Sequence, residues 1–163
     1  MTRSTIEAAR QALEPVLRRL MHVYWRFARG MTLGVRGLVV DGEGQVFLVK
    51  HSYVSGWHLP GGGVETGETL AYALGRELFE EGCIELTGPP MLHGMFFNDR
   101  ASRRDHVALF VVREFRQVSA PVPNHEIVAH GFFATDQLPD GTTAATRTRI
   151  AEVLGGATVS ERW

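Results

Sequence analysis

The chain has 163 residues, of which 44% are hydrophobic and 21% charged, and its formal net charge is -1. That length suits one globular domain with a short appendage, and the apolar content supports a real core and excludes a disordered chain. A near-neutral total excludes bulk affinity for polyanions, and the single cysteine, Cys83, excludes an internal disulfide and a cysteine-based zinc cluster.

Six arginines face two glutamates in residues 1–30, a net of +4 that leaves -5 for the remainder. Along this basic arm Ile6, Ala9, Leu13, Leu17, Leu20, Tyr24 and Phe27 recur at spacings of three and four. The spacing predicts one apolar stripe on a helix or helix pair over residues 4–29, interrupted at Pro15 and stopped by Gly30. His22 and Arg26 break the apolar stretch from Leu20 to Phe27, so neither a spanning helix nor a secretory leader is expected, and a cytoplasmic location is. The stripe is expected to pack against protein, with a homodimer as one form of that. Peripheral contact of residues 4–29 with an anionic membrane is the less favoured alternative, and no stable nucleic-acid partner is expected.

The segments Leu33–Val40 and Gln45–Val49 are apolar and β-branched. Asp41-Gly42-Glu43-Gly44 joins them and predicts a hairpin. Turn residues dominate His51–Gly63. Thr69–Glu81 is rich in Leu, Ala and Glu and predicts a helix. Strands are expected at Met91–Phe97 and Val107–Phe115, around a polar loop from Asn98 to Asp105. Pro121, Pro123 and Asn124 mark a further loop, followed by a strand at Ile127–Ala134 and a closing helix at Thr142–Leu154. The mixture predicts an α+β fold, with residues 1–30 as a helical arm, 31–155 as the folded domain and 156–163 as a tail.

Chemistry concentrates between Gly62 and Ile84. Glu77, Glu80 and Glu81 stand at i, i+3 and i+4 and share one helical face, where like charges repel. A solvated acidic surface is the bland account of such a helix. The alternative is a hard divalent cation, which takes oxygen ligands and completes its shell with substrate phosphates. The loop Pro60-Gly61-Gly62-Gly63 before the helix allows close backbone approach and can offer a carbonyl oxygen, which favours the second account.

The segment Gly62–Ile84 resembles the signature of the Nudix hydrolases, G-x5-E-x7-R-E-U-x-E-E-x-G-U with U a bulky aliphatic residue. Gly62, Glu68, Arg76, Glu77, Leu78, Glu80, Glu81 and Ile84 fill its positions. Cys83 stands where the second glycine belongs, with Gly82 one place early. The resemblance implies an α/β/α sandwich around a mixed sheet and hydrolysis of a pyrophosphate bond in a nucleoside diphosphate linked to another moiety. It implies Mg²⁺ or Mn²⁺ on Glu77, Glu80 and Glu81, joined by the Gly62 carbonyl, with Glu80 and Glu81 the main candidates for metal binding and water activation and Arg76 orienting the carboxylates through Glu68 or Glu77. Glu126, shortly before the last strand, sits where the family recruits a further acid, as metal ligand or general base, and is set against an exposed loop glutamate.

Other substrate contacts are open. Lys50 is a phosphate contact or a solvated strand end, and Trp57 stacks on a base or packs locally. Arg100 and Arg104, with Arg103, close over phosphates or are simply solvated. The seven histidines show no metal-ligand spacing and are treated as incidental. Nucleoside triphosphates, nucleotide sugars and 5′-triphosphate RNA remain candidate substrates. A nucleotide-sensing module without turnover is the alternative function.

Overall fold

A computed structural model describes residues 3–122 and 125–163, with side chains from Leu13 onward. Pro123 and Asn124 of the expected loop, and the side chains of Ile6 and Ala9 of the stripe, lie outside the described residues. The chain divides into two compact units, Met1–Met31 and Thr32–Trp163.

The first unit is a single helix, α1 (Arg3–Ala28), which runs through Pro15 as one element. At its end Arg29 N–H donates to the Trp25 carbonyl at 2.8 Å, and the Arg29 guanidinium lies 5.3 Å from the Trp25 ring centre. No helix among the described residues is long and apolar enough to cross a membrane.

The second unit runs β1 (Thr32–Val39), β2 (Val46–His51), β3 (Trp57–His58), α2 (Leu70–Gly82), β4 (Ile84–Leu86), β5 (Met91–Phe97), β6 (Asp105–Val112), β7 (Phe115–Gln117), β8 (Ile127–Phe133) and α3 (Ala144–Leu154). Its sheets have strand orders β1-β6-β5, β3-β2-β8 and β4-β7. The β1–β6 pair is parallel and the others are antiparallel, giving the mixed α+β architecture.

Alternation along the strands builds two cores. Val35 and Val39 of β1, Phe47 and Val49 of β2, and Ala108, Phe110 and Val112 of β6 pack with Ala73, Leu74 and Leu78 of α2. The intervening residues Leu38, Val46, Leu48 and Leu109 pack with Ile150 of α3. One helix therefore covers each face, the period-two consequence of strands buried on both sides. Gly37 lets α2 approach β1 closely: a Cβ there would sit 3.1 Å from a methyl of Leu78 and 3.2 Å from one of Leu74.

The expected hairpin is only half realised. Asp41 N–H donates to the Gln45 carbonyl at 3.1 Å, and the Asp41 carboxylate accepts from the backbone N–H groups of Glu43 and Gln45. Beyond an isolated Val40–Val46 bridge the strands part, β1 to pair with β6 and β2 with β8. Turn chemistry reverses the chain locally, but strand pairing follows burial, and the two apolar strands join different sheets, β2 at the centre of one and β1 at the edge of the other. The strand expected over Val107–Phe115 ends at Val112 and resumes as the short β7. The two-residue β3 and three-residue β4 lie in stretches too short for a periodic signal.

Candidate active site

The site is assembled by α2 and the glycine loop in front of it. Thr69 caps the helix, its hydroxyl accepting from Tyr72 N–H at 3.2 Å. At the other end Cys83 adopts the left-handed conformation (φ 51°, ψ 35°), the one described non-glycine residue with positive φ. Its N–H caps the carbonyls of Leu78 and Phe79. A side chain at a position that favours glycine is costly in backbone conformation, and the helix end it forms is nonetheless complete.

The helix is set so that its three carboxylates meet different surroundings. The Glu80 side chain is 57% exposed, that of Glu77 13% and that of Glu81 5%. Glu81 reaches across to the glycine loop, where it accepts from Gly61 N–H at 2.7 Å, and its other oxygen lies 3.5 Å from His51 Nε2. Burial pushes the Glu81 carboxyl up to about 8, helped by the nearby Glu77 and Glu126 charges and opposed by the Gly61 N–H and Arg36. The Glu77 carboxyl is also raised, chiefly by burial and against the pull of Arg76. Burial, with Arg36 and His58 adding to it, lowers the His51 imidazole, which is therefore neutral and able to ligate at neutral pH.

Arg76 ties the acids together. Its guanidinium donates to Glu68 (3.0 and 3.1 Å), Glu77 (2.8 Å), Glu80 (3.4 Å) and the Gly63 carbonyl (3.1 Å). Its hydrogen bonds hold the Glu68 carboxyl below the usual carboxylate range. Gly62 lies directly against Glu77: a Cβ at Gly62 would fall 2.5 Å from a Glu77 carboxylate oxygen. The Gly62 carbonyl accepts from Val35 N–H at 2.9 Å, which leaves it a second lone pair. Gly61 has φ +136° and abuts the Val35 carbonyl, so both conformation and space require glycine there.

Two residues join the site without having been singled out in the sequence. Arg36, in the middle of β1, donates to the Leu59 carbonyl at 3.0 Å and to that of Gly61, fixing the loop from behind. His51, at the end of β2, is not incidental: it lies on the same strand face as Phe47 and Val49 and is 7% exposed. One ligand atom each from His51, Glu81 and Glu126 lie within 4.8 Å of one another. Glu126 also accepts from the Tyr53 hydroxyl at 2.9 Å. The signals for both residues were present: an arginine inside an apolar strand, and a histidine continuing an inward-facing register.

The donor set suits a hard divalent cation. Glu77 and Glu81 are carboxylates largely taken out of water, and the Gly62 carbonyl beside Glu77 adds a further oxygen. Such groups are costly alone and are offset by a cation.

The remaining expected contacts are placed differently. Lys50 is exposed and, as the strand neighbour of His51, faces away from the carboxylates. Trp57 packs edge-on against Phe133 at 5.1 Å between ring centres and borders the α3-side core. Arg100 and Arg104 are exposed in the turn between β5 and β6.

The NUDIX domain model matches residues 30–153. The chain belongs to the NUDIX domain family. Among solved structures, a MutT NUDIX hydrolase from Burkholderia pseudomallei is 26% identical with a TM-score of 0.64, over 75% of this chain and 97% of that one. The MutT protein of Bacillus halodurans, 23% identical over 81% of this chain and 85% of its own, shares the fold at a TM-score of 0.63. An RNA pyrophosphohydrolase of Vibrio atlanticus (strain LGP32) is 40% identical over 52 residues. The match spans 32% of this chain and about a third, 30%, of that relative's length.

Proposed function

We propose that this NUDIX domain is a metal-dependent pyrophosphohydrolase acting on a nucleoside diphosphate linked to another moiety, with Gly62–Ile84 as its Nudix box and Cys83 in the place of the second glycine. The observation that carries the reading is the buried Glu81, held between Gly61 N–H and His51 beside a Glu77 pressed onto Gly62. A merely solvated acidic face would not bury its carboxylates in a glycine loop. Glu77, Glu80 and Glu81, with the Gly62 carbonyl, would hold Mg²⁺ or Mn²⁺. When bound, the ion withdraws charge from the phosphoanhydride and acidifies water for attack on phosphorus.

The chain's own residues supply the rest. Arg76 is a positioning residue that sets the rotamers of Glu68, Glu77 and Glu80. Glu126, beside Glu81 and oriented by Tyr53, is the candidate to take the proton of the attacking water. Glu80, the exposed acid, is open to solvent and substrate, and is assigned to metal binding. For α1 we propose self-association through Leu13, Leu17, Leu20, Tyr24 and Phe27. Sedimentation of the full chain tests this, a strictly monomeric species overturning it.

The test of activity is chromatographic detection of nucleoside monophosphate and of the departing pyrophosphate, phosphate or sugar phosphate, from a panel of nucleoside triphosphates, nucleotide sugars and 5′-triphosphate RNA, with Mg²⁺, Mn²⁺ or chelator. RNA belongs in the panel because of the Vibrio relative. Turnover that needs the cation and collapses in Glu80→Gln is expected. Nucleotide binding without any turnover would instead establish a sensing module.

A further inference from the structure

The segment following α3 folds back along the free edge of β5. Phe97 N–H donates to the Glu161 carbonyl at 2.9 Å and Trp163 N–H to the Phe97 carbonyl at 3.0 Å, so Phe97 and Arg162 form a parallel bridge. A buried ion pair on α3 holds this strap. Arg149, 1% exposed, donates to Glu152 at 2.7 Å and to the Arg162 carbonyl at 3.1 Å. Its guanidinium lies 4.0 Å over the Phe96 ring and 5.7 Å over the Trp163 ring. Glu152 also accepts from Ser160 N–H at 2.9 Å. Taking two charges out of water is costly, and here the pair anchors the strap and sets two aromatic rings around the guanidinium, the outer one being the Trp163 side chain.

That side chain lines a cleft of about 260 Å³ whose walls include Gly62, Gly63, Arg36, Asn98, Asp105 and Trp163. The cleft therefore joins the glycine loop of the candidate active site to the indole. Its charge is graded along the way. Arg36, though held on the Leu59 and Gly61 carbonyls, supplies positive charge at the loop end and favours phosphate there. Asp105, fixed by the Thr32 hydroxyl at 2.6 Å and the Asn98 amide at 2.8 Å, repels it. The uncharged part of a substrate belongs near Asp105 and Trp163.

We propose that Trp163 is the base-stacking residue of this chain: the nucleobase lies on its indole while the phosphates extend to the Gly62–Gly63 loop. The proposal rests on the pyrophosphohydrolase reading and deepens it by assigning the nucleoside end of the site. Stacking on an aromatic ring is tolerant of base identity, so the residue confers affinity for nucleotides over bare phosphates.

The test uses the full chain carrying Trp25→Phe and Trp57→Phe, so that Trp163 alone emits. In Mg²⁺, GMP and AMP are titrated; neither contains a phosphoanhydride, so the readout needs no turnover. Saturable quenching by both, with none by inorganic phosphate, is expected. In hydrolysis of GTP, Trp163→Leu raises KM about tenfold at unchanged kcat, and Trp163→Phe restores it. Leu is chosen because it keeps an apolar group against Phe96. Unchanged emission with both nucleotides, or equal KM for the Leu and Phe variants, overturns the assignment. Absence of turnover with every substrate would defeat the pyrophosphohydrolase reading while the fluorescence result still decides this one.

Discussion

Gly62 offers a sharp test because its backbone is not in the left-handed region that demands glycine, so its identity must be explained by what a side chain would strike. In Gly62→Ala the new Cβ would lie 2.5 Å from Glu77 Oε1 and 2.6 Å from its carboxyl carbon. Ordinary carbon contacts begin near 3.5 Å, so the carboxylate must retreat by about 1 Å. The Glu77 side chain is mostly buried and held by Arg76 at 2.8 Å, so it cannot swing freely into water. A displacement of that size in a group that positions reacting atoms costs roughly a hundredfold in rate, or ~2.7 kcal/mol of transition-state stabilisation. The loss in folding stability is expected to be smaller, about 1 kcal/mol, because the clash is with the end of a side chain and not with backbone. The assay pairs kcat at saturating Mg²⁺ with thermal unfolding. A double-mutant cycle with Glu77→Gln completes it: once Glu77 is impaired, Gly62→Ala should add little. A kcat within threefold of the parent for Gly62→Ala alone would refute the placement of Glu77 in the working site.

The buried Glu81 predicts a pH dependence. With its folded pKa near 8 and its ordinary value near 4.5, the carboxyl carries no penalty below about pH 4.5 and its full penalty above about 8. The metal-free protein should therefore lose stability as pH rises through that window, by an amount on the order of a few kcal/mol. Thermal melts should show Glu81→Gln and added Mg²⁺ each flattening this slope; a metal-free slope of the opposite sign would count against the assignment. Arg76→Ala should raise the Mg²⁺ concentration for half-activation by 10–100-fold, since three carboxylates lose their orienting partner, and a metal titration of the rate would show an unchanged midpoint if the pairing is ornamental. Arg149→Ala removes the cation bonded to the fully buried Glu152 side chain and leaves it Ser160 N–H and the nearby His93, and urea unfolding should register a loss of about 3 kcal/mol.

Much of the fold was legible wherever a periodic signal ran for a full element. Met91–Phe97 matches β5 residue for residue, Thr69 and Gly155 bracket their helices, and Ile127–Phe133 is nearly the strand expected. Pairing was not legible. The Asp41–Gly44 turn is a true local reversal, but which strands become neighbours depends on surfaces brought together from Asp105–Val112 and Ile127–Phe133, far along the chain. Arg149 and Trp163 were also invisible: one is a charge inside a helix, the other lies on a strap with no periodicity. Only the tertiary fold brings that strap against Phe96 and Phe97.

The acidic face of α2 shows why the site could be read further than its surroundings. Spacing alone places Glu77, Glu80 and Glu81 on one side, but it cannot divide them. The structure does so by tilting that side into the glycine loop, so exposure falls from Glu80 through Glu77 to Glu81. A gradient of this kind gives chemically identical groups different electrostatic surroundings. The exposed acid stands open to solvent, while the buried one becomes costly to ionise unless a cation is near. Arg36 of β1, His51 of β2 and Glu126 from the loop before β8 arrive at the buried end, none adjacent to the helix in sequence. What distinguishes the three glutamates is therefore the unequal depth to which one helix sinks them.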